Sequence, residues 1–342
     1  MHPASLTGDE GESPQIFMPY SLNDKLVVGI SGRALFDLTD EHAVYEQHGL
    51  EAYRRLQRLR EQVPLKPGTG FPLVQALLAI NKKLGRPAVE VIVISRNDGD
   101  SGLRIMNSIA NHKLDITRAS FCGGRNVDEY SNAYQCKLFL SAEHQDVHNV
   151  IVKGGAAGLV FQPPHGYQHD SNEVRIAFDG DAVIFSDEAE RIYQEKGPEE
   201  FIDNETEKAR TPLQPGPFKP FLDSLVWLQA QFVQGHSPIR IAVVTARSAP
   251  AHERAILTLR QWGITVNEMH FLGGIEKTPV LQVFKPHIFF DDQLTHIQAA
   301  SKNLPSARVP YGPSGTKKGM ASVRFSPATQ EGHEKAKMQK RK

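Results

Sequence analysis

Short apolar runs without polar alternation recur along this chain, and each ends abruptly in polar or charged residues. Such a run reads as a strand covered on both faces of a parallel sheet, because both faces then need apolar side chains. The runs start at Val28, Val91, Leu138 and Leu159 in the first half, and at Ile176, Ile241, Ile288 and Val309 in the second. Between them, Phe71 to Ile80, Phe218 to Leu228 and Ala255 to Trp262 carry apolar residues three and four apart, which predicts helices lying with one face on a sheet. Gly263 follows the last of these as a C-cap. Strands and helices in alternation predict an α/β fold with mostly parallel sheets flanked by helices.

The two halves also repeat. Val28 to Phe36 aligns with Ile176 to Ile184 at an offset of 148, as does Tyr45 to Gly49 with Tyr193 to Gly197. From Val93 the offset is 150, matching Val93 to Ser95 with Val243 to Thr245, Leu138 to Ala142 with Ile288 to Asp292, and Ala157 to Phe161 with Ala307 to Tyr311. One two-residue shift over so long an alignment is hard to obtain by chance, so the chain reads as two copies of one α/β unit. The expected organisation is a flexible segment 1–22, a first unit 23–165, a second unit 166–313 and a basic tail 314–342. Too few apolar residues stand in the tail to offset the entropy of ordering it. The Pro/His-rich stretch 162–169 is the linker, and its prolines and Gly166 argue against His165 and His169 as a helical metal-binding pair.

Candidate chemistry collects at the strand ends of the second half. The run Ile176 to Phe178 stops at Asp179-Gly-Asp181, placing two carboxylates at the carboxyl end of a strand, where open α/β sheets bind ligands. Gly180, lacking a Cβ, is expected to let the chain turn so that both carboxylates converge. Anions that close repel unless a cation lies between them, which asks for a divalent metal; an ordinary Asp/Gly turn is the other reading of the tripeptide alone. A second strand ends in Thr245, Lys277 follows the glycine pair 273–274, and a third strand ends in Asp291 and Asp292. At the six corresponding positions the first half has Ser31, Arg33, Ser95, Val127, Ser141 and Ala142. Only a hydroxyl persists there, so the first copy cannot hold a divalent cation and is expected to be inactive. Ser31-Gly-Arg33 and Ser95 to Asp100 either face the active cleft from that copy or serve structure alone.

Strand-Asp-x-Asp, strand-Thr, Lys and strand-Asp-Asp, in that order, resemble the four motifs of the haloacid dehalogenase superfamily of phosphotransfer enzymes. Ala177 to Glu188, Val244 to Ala249, Pro286 to Gln293 and Val309 to Gly312, with Ser31 to Phe36, are further similar to the cytosolic 5′-nucleotidase type I family, over about residues 25 to 313. The resemblance implies two tandem Rossmann-like units, the second catalytic, with the polar segment 187–217 a candidate small cap. It implies a magnesium-dependent 5′-nucleotidase that hydrolyses nucleoside 5′-monophosphates, AMP or related, through an aspartyl-phosphate. Asp179 would then be the nucleophile and Asp181 the general acid and base. Mg²⁺ would be held by Asp179, the backbone carbonyl of Asp181 and Asp291, with Asp292 beside them or acting through water. Lys277 would balance charge and Thr245 would donate to the phosphate, with Arg247 a third substrate contact. Asp187 is read as a helix N-cap. The motifs are silent about the leaving group, so a phosphatase or phosphotransferase for another small phosphate ester is the alternative.

Composition narrows the setting. With 342 residues and 40% hydrophobic content the chain can bury one large core or two ordinary ones. Lys and Arg total 39 and so do Asp and Glu, which implies no overall polycationic surface for nucleic acid and leaves room only for a local basic patch. The two cysteines, Cys122 and Cys136, make no disulfide framework and are expected as reduced, buried thiols. No signal-peptide pattern and no run approaching roughly 18 apolar residues is present, so a cytoplasmic protein without a membrane span is expected. Homo-oligomerisation stays open.

Overall fold

The apolar runs assemble into one ten-stranded sheet in the computed structural model, which describes residues 20–164, 166–168 and 172–312. The first half supplies β1 (Leu26–Ile30), β2 (Val89–Ser95), β3 (Arg118–Phe121), β4 (Leu138–Ser141) and β5 (Ala157–Val160). The second supplies β6 (Val174–Phe178), β7 (Ile239–Thr245), β8 (Glu268–Phe271), β9 (Ile288–Asp291) and β10 (Ser306–Arg308). Two of these, β3 and β8, escaped the apolar pattern because they are the edge strands and only half-buried along their length. The last strand ends just before Val309, where the pattern placed its start.

Strand order across the sheet is β3-β2-β1-β4-β5-β10-β9-β6-β7-β8. Each half therefore runs in the same order, and the repeat extends to register. Val28 lies beside Val91 and Leu138, while Ile176 lies beside Ile241 and Ile288. Within each half all neighbours in this sheet are parallel, but the halves meet through an antiparallel pair, with Ala307 opposite Val160 and Arg308 opposite Leu159. Gly158 permits this seam, since a Cβ there would come within 3.0 Å of both Ala307 and Phe290. The expected two sheets are thus one. The antiparallel seam also turns the strands of the two halves in opposite directions, so their carboxyl ends lie at opposite edges. Ser31-Gly-Arg33 and Ser95 to Asp100 consequently do not face the cleft beside Asp179, which corrects one of the two roles read for them.

Helices cover the sheet, as long parallel crossovers require. Phe71–Leu84 and Lys219–Gln229 each carry a proline in the first turn, where a missing N–H costs nothing. Helix His252–Gln261 ends at Trp262, and Gly263 follows in the left-handed region at φ 69. Segment 187–217 contains two helices, Glu188–Lys196 and Pro198–Glu207, joined at Gly197; the first half repeats the feature as helix Thr39–Leu59 kinked at Gly49. Beneath the strand ends, Phe178 and Phe290 stack with ring centroids 5.6 Å apart, and Phe218 packs 4.7 Å from Phe290. Because Phe178 and Phe290 immediately precede Asp179 and Asp291, this cluster fixes the floor under both carboxylates.

Among the described residues no helix is long and apolar enough to cross a membrane. Tyr20, at the end of the segment expected to be flexible, donates to Glu90 at 2.6 Å and lies under the Arg118 guanidinium. Residues 1–19, His165, His169 and the tail 314–342 lie outside the described residues. Both cysteines are free but half-buried rather than fully buried, and burial pushes the Cys136 thiol up to about 12.

Candidate active site

Neighbouring strand ends in the second half build the site. Asp179 follows β6 in extended conformation and accepts a hydrogen bond from its own neighbour, the Gly180 N–H, at 2.7 Å. Thr245 closes β7, Asp291 closes β9 and Asp292 comes next, while Lys277 stands at the N-cap of helix Thr278–Phe284. Since β6 lies between β7 and β9, sheet order alone makes these ends adjacent. The crevice between β6 and β9 is where the crossovers diverge, the usual ligand site of such sheets.

Lys277 holds the centre together. Its Nζ lies 2.9 Å from Asp179 Oδ1 and 2.7 Å from Asp291 Oδ2, with all three side chains buried. Asp291 also accepts from the Gln293 N–H at 2.8 Å and lies 3.2 Å from His296 Nδ1. Asp179, Asp291 and Asp292 each present an oxygen, and these oxygens all lie within 4.8 Å of one another. Three buried carboxylates against one ammonium leave negative charge in excess. Burial pushes the Asp179 carboxyl up to about 7, with Lys277 pulling it down and Asp291 pushing it further up. Burial also drives Asp292 well above the ordinary carboxylate range, with Asp291 and Asp179 adding to it. For Asp291 burial acts the same way, but Lys277 and His296 outweigh it and hold the group below that range. Asp292 Oδ2 is buried with no hydrogen-bond partner among the described residues. An all-oxygen set with surplus charge and a partnerless oxygen fits a hard divalent cation, which would relieve all three features.

Asp181 turns elsewhere. Its two oxygens take a fork from Arg247, 2.8 Å from Nε and 2.8 Å from Nη2. The chain turns at Ala182, whose φ is 58, and not at Gly180, where a Cβ would meet Thr245 only at an ordinary 3.4 Å. The Asp181 carboxylate is therefore taken by Arg247 and does not join the oxygens grouped around Asp179, because a bidentate arginine pair offers it a better setting than a further like charge. Arg247, read from the sequence as a substrate contact, is itself buried; its Nη1 donates to Glu205 and to the Ala251 carbonyl. Thr245 Oγ1 accepts from the Arg247 N–H at 3.2 Å, which leaves its own proton to donate. Asp187 occupies the N-cap position of Glu188–Lys196 without capping it, and accepts instead from Arg191 at 2.7 Å.

A family model described as 5′-nucleotidase matches residues 18–316, nearly the whole chain. The chain belongs to the 5′-nucleotidase family. It is similar to a Homo sapiens protein named cytosolic 5′-nucleotidase 1B, with 35% identity over 312 residues, covering 87% of this chain and 51% of that protein. The chain thus spans about half the length of that curated relative. No solved structure matches it.

In this 5′-nucleotidase family member two groups near the centre carried no sequence signal: His296 and Glu205. His296 follows Asp291 by five residues, a spacing visible only once a helix is known to start at Leu294. Glu205 stands 42 residues before Arg247, and their pairing exists only in three dimensions. It is fully buried and also accepts from Arg254 Nη1 at 2.7 Å. The helical segment 187–217 thereby reaches the site as a brace. Glu205→Ala takes a carboxylate from two buried guanidinium groups, Arg247 and Arg254, so urea denaturation is expected to show a loss of about 3–5 kcal/mol.

Proposed function

We propose that this chain hydrolyses nucleoside 5′-monophosphates, AMP or a related nucleotide, to nucleoside and phosphate through an aspartyl-phosphate. The observation that carries the reading is the Lys277 bridge between Asp179 and Asp291 beside the buried carboxylate trio. Asp179, Asp291 and Asp292 would hold Mg²⁺, together with the backbone carbonyl of Asp181 and water. Bound there, the ion supplies positive charge to the phosphoryl oxygens and to the nucleophile.

The remaining work falls to the chain's own side chains. Asp179 attacks phosphorus in line, the bond from phosphorus to the 5′-oxygen breaks, and Asp181 delivers a proton to the departing oxygen. Asp181 then takes a proton from water as that water attacks phosphorus, which releases phosphate and returns Asp179 free. Lys277 and the Thr245 hydroxyl stabilise charge spread over the phosphoryl oxygens. Arg247 acts through Asp181, fixing the carboxylate of the proton carrier, while Glu205 holds Arg247.

Phosphate release from a panel of nucleoside 5′-monophosphates, 3′-monophosphates and sugar phosphates tests this, with Mg²⁺ or with EDTA. The expected result is preference for 5′-monophosphates, with EDTA lowering turnover by about a thousandfold or more and Mg²⁺ restoring it. Preference for sugar phosphates would move the chain to the alternative substrate class. Turnover untouched by EDTA would remove the metal from the mechanism.

A further inference from the structure

At the opposite edge of the sheet, the first half keeps an open space where the second half has its centre. A cavity of about 450 Å³ lies at the carboxyl ends of β1, β2 and β4. Three buried serines, Ser31, Ser95 and Ser141, line it in the places of Asp179, Thr245 and Asp291. Replacing two carboxylates by hydroxyls removes the repulsion a phosphate would meet there, and with it the demand for a metal.

Ion pairs in the cavity are close except at one point, where the pairing is loose. Arg96 is committed to Asp146 at 2.8 Å, and Arg54 to Asp98 at 2.7 Å and Glu51 at 2.6 Å. His42 lies 3.3 Å from Glu46. Arg33, which stands where the second half has Asp181, makes no hydrogen bond among the described residues. Its nearest carboxylate, Glu143, is 3.9 Å away and half exposed to water. Nothing braces Arg33 as Arg247 and Glu205 brace Asp181, since Asn97 and Gln57 occupy their corresponding positions. Burial lowers the pKa of its guanidinium from the ordinary value, with Glu143 and Glu46 acting the other way without offsetting it. The same cavity is lined by three rings, in which His42 stacks on Tyr45 at 5.9 Å and Tyr45 meets Tyr53 edge-on at 6.1 Å.

We propose that this cavity binds, without hydrolysing it, a phosphate monoester bearing a planar ring, the phosphate on Arg33 and the serine hydroxyls and the ring against Tyr45 and Tyr53. Arginine suits a phosphate, tyrosine faces suit a ring, and the volume lies in the range of small-ligand sites. The antiparallel seam keeps this site apart from Asp179, so its occupant is not the molecule being hydrolysed.

The test uses the full chain carrying Asp179→Asn, so that the probe survives, and titrates it with AMP by calorimetry in Mg²⁺. An AMP site is expected that Arg33→Ala and Tyr45→Ala each weaken by about tenfold or more, and that takes ribose 5-phosphate about tenfold more weakly than AMP. Tyr45 is 46% exposed, so its truncation leaves the fold intact even where Arg33→Ala does not. AMP binding insensitive to Tyr45→Ala, or no AMP binding beyond what the Asp179 centre accounts for, overturns the proposal. Neither result depends on which ester the Asp179 centre hydrolyses.

Discussion

Asp179→Asn is expected to lower phosphate release by about four orders of magnitude or more, while the protein folds normally. The amide keeps the size and shape of the carboxyl but cannot attack phosphorus, so the covalent route closes. Stability should not suffer. Burial raises the Asp179 carboxyl to about 7, far above its value in an unfolded chain. For an acid raised in this way the folded state binds the extra proton, so stability is lost as pH rises from about 4 toward 7. Asparagine, neutral at every pH, removes that loss. In EDTA at pH 7.5 the variant is expected to unfold at a urea concentration no lower than the wild type. Phosphate release within tenfold of wild type would exclude Asp179 as nucleophile.

Lys277→Ala should be the second most damaging change, with turnover down by about a thousandfold. Burial alone would lower the pKa of this ammonium, but Asp179 and Asp291 outweigh burial and raise it above its ordinary value, so it stays charged. Removing it leaves Asp179 and Asp291 buried without their cation, and the metal-free variant is expected to lose about 3–5 kcal/mol in urea denaturation. Mg²⁺ should return part of the stability by supplying charge to the same carboxylates. It should not return turnover, because no donor then sits where Nζ met the nucleophile. A variant that keeps turnover within tenfold would show that Lys277 serves the fold alone.

Much of the candidate site was legible in the sequence for a local reason. Where an apolar run stops, the strand stops, and in a parallel sheet successive strands stop along one edge. Asp179, Thr245, Asp291 and Asp292 therefore announced their places at strand ends, and the structure brings Lys277 to Asp179 and Asp291. Direction of side chains was not legible. Nothing near Asp181 in sequence shows that Arg247, 66 residues away, would draw its carboxylate aside, or that Glu205 would hold that arginine. Gly180 misled because glycine permits a sharp turn without requiring one, and Ala182 made the turn instead.

The sequence by itself determined the repeat, the equivalent strands of each half, and which half carries carboxylates. All three rest on period and burial of neighbouring residues, which each unit encodes locally. Only the tertiary structure decided how the units join. Both β5 and β10 are short strands that would be bare edges if the halves stood apart. Edge strands satisfy their backbone groups by pairing with whatever edge is available, and either direction can do so. The antiparallel choice merges the two sheets into one, sends Asp179 and Ser31 to opposite edges, and gives the first half a cavity of its own.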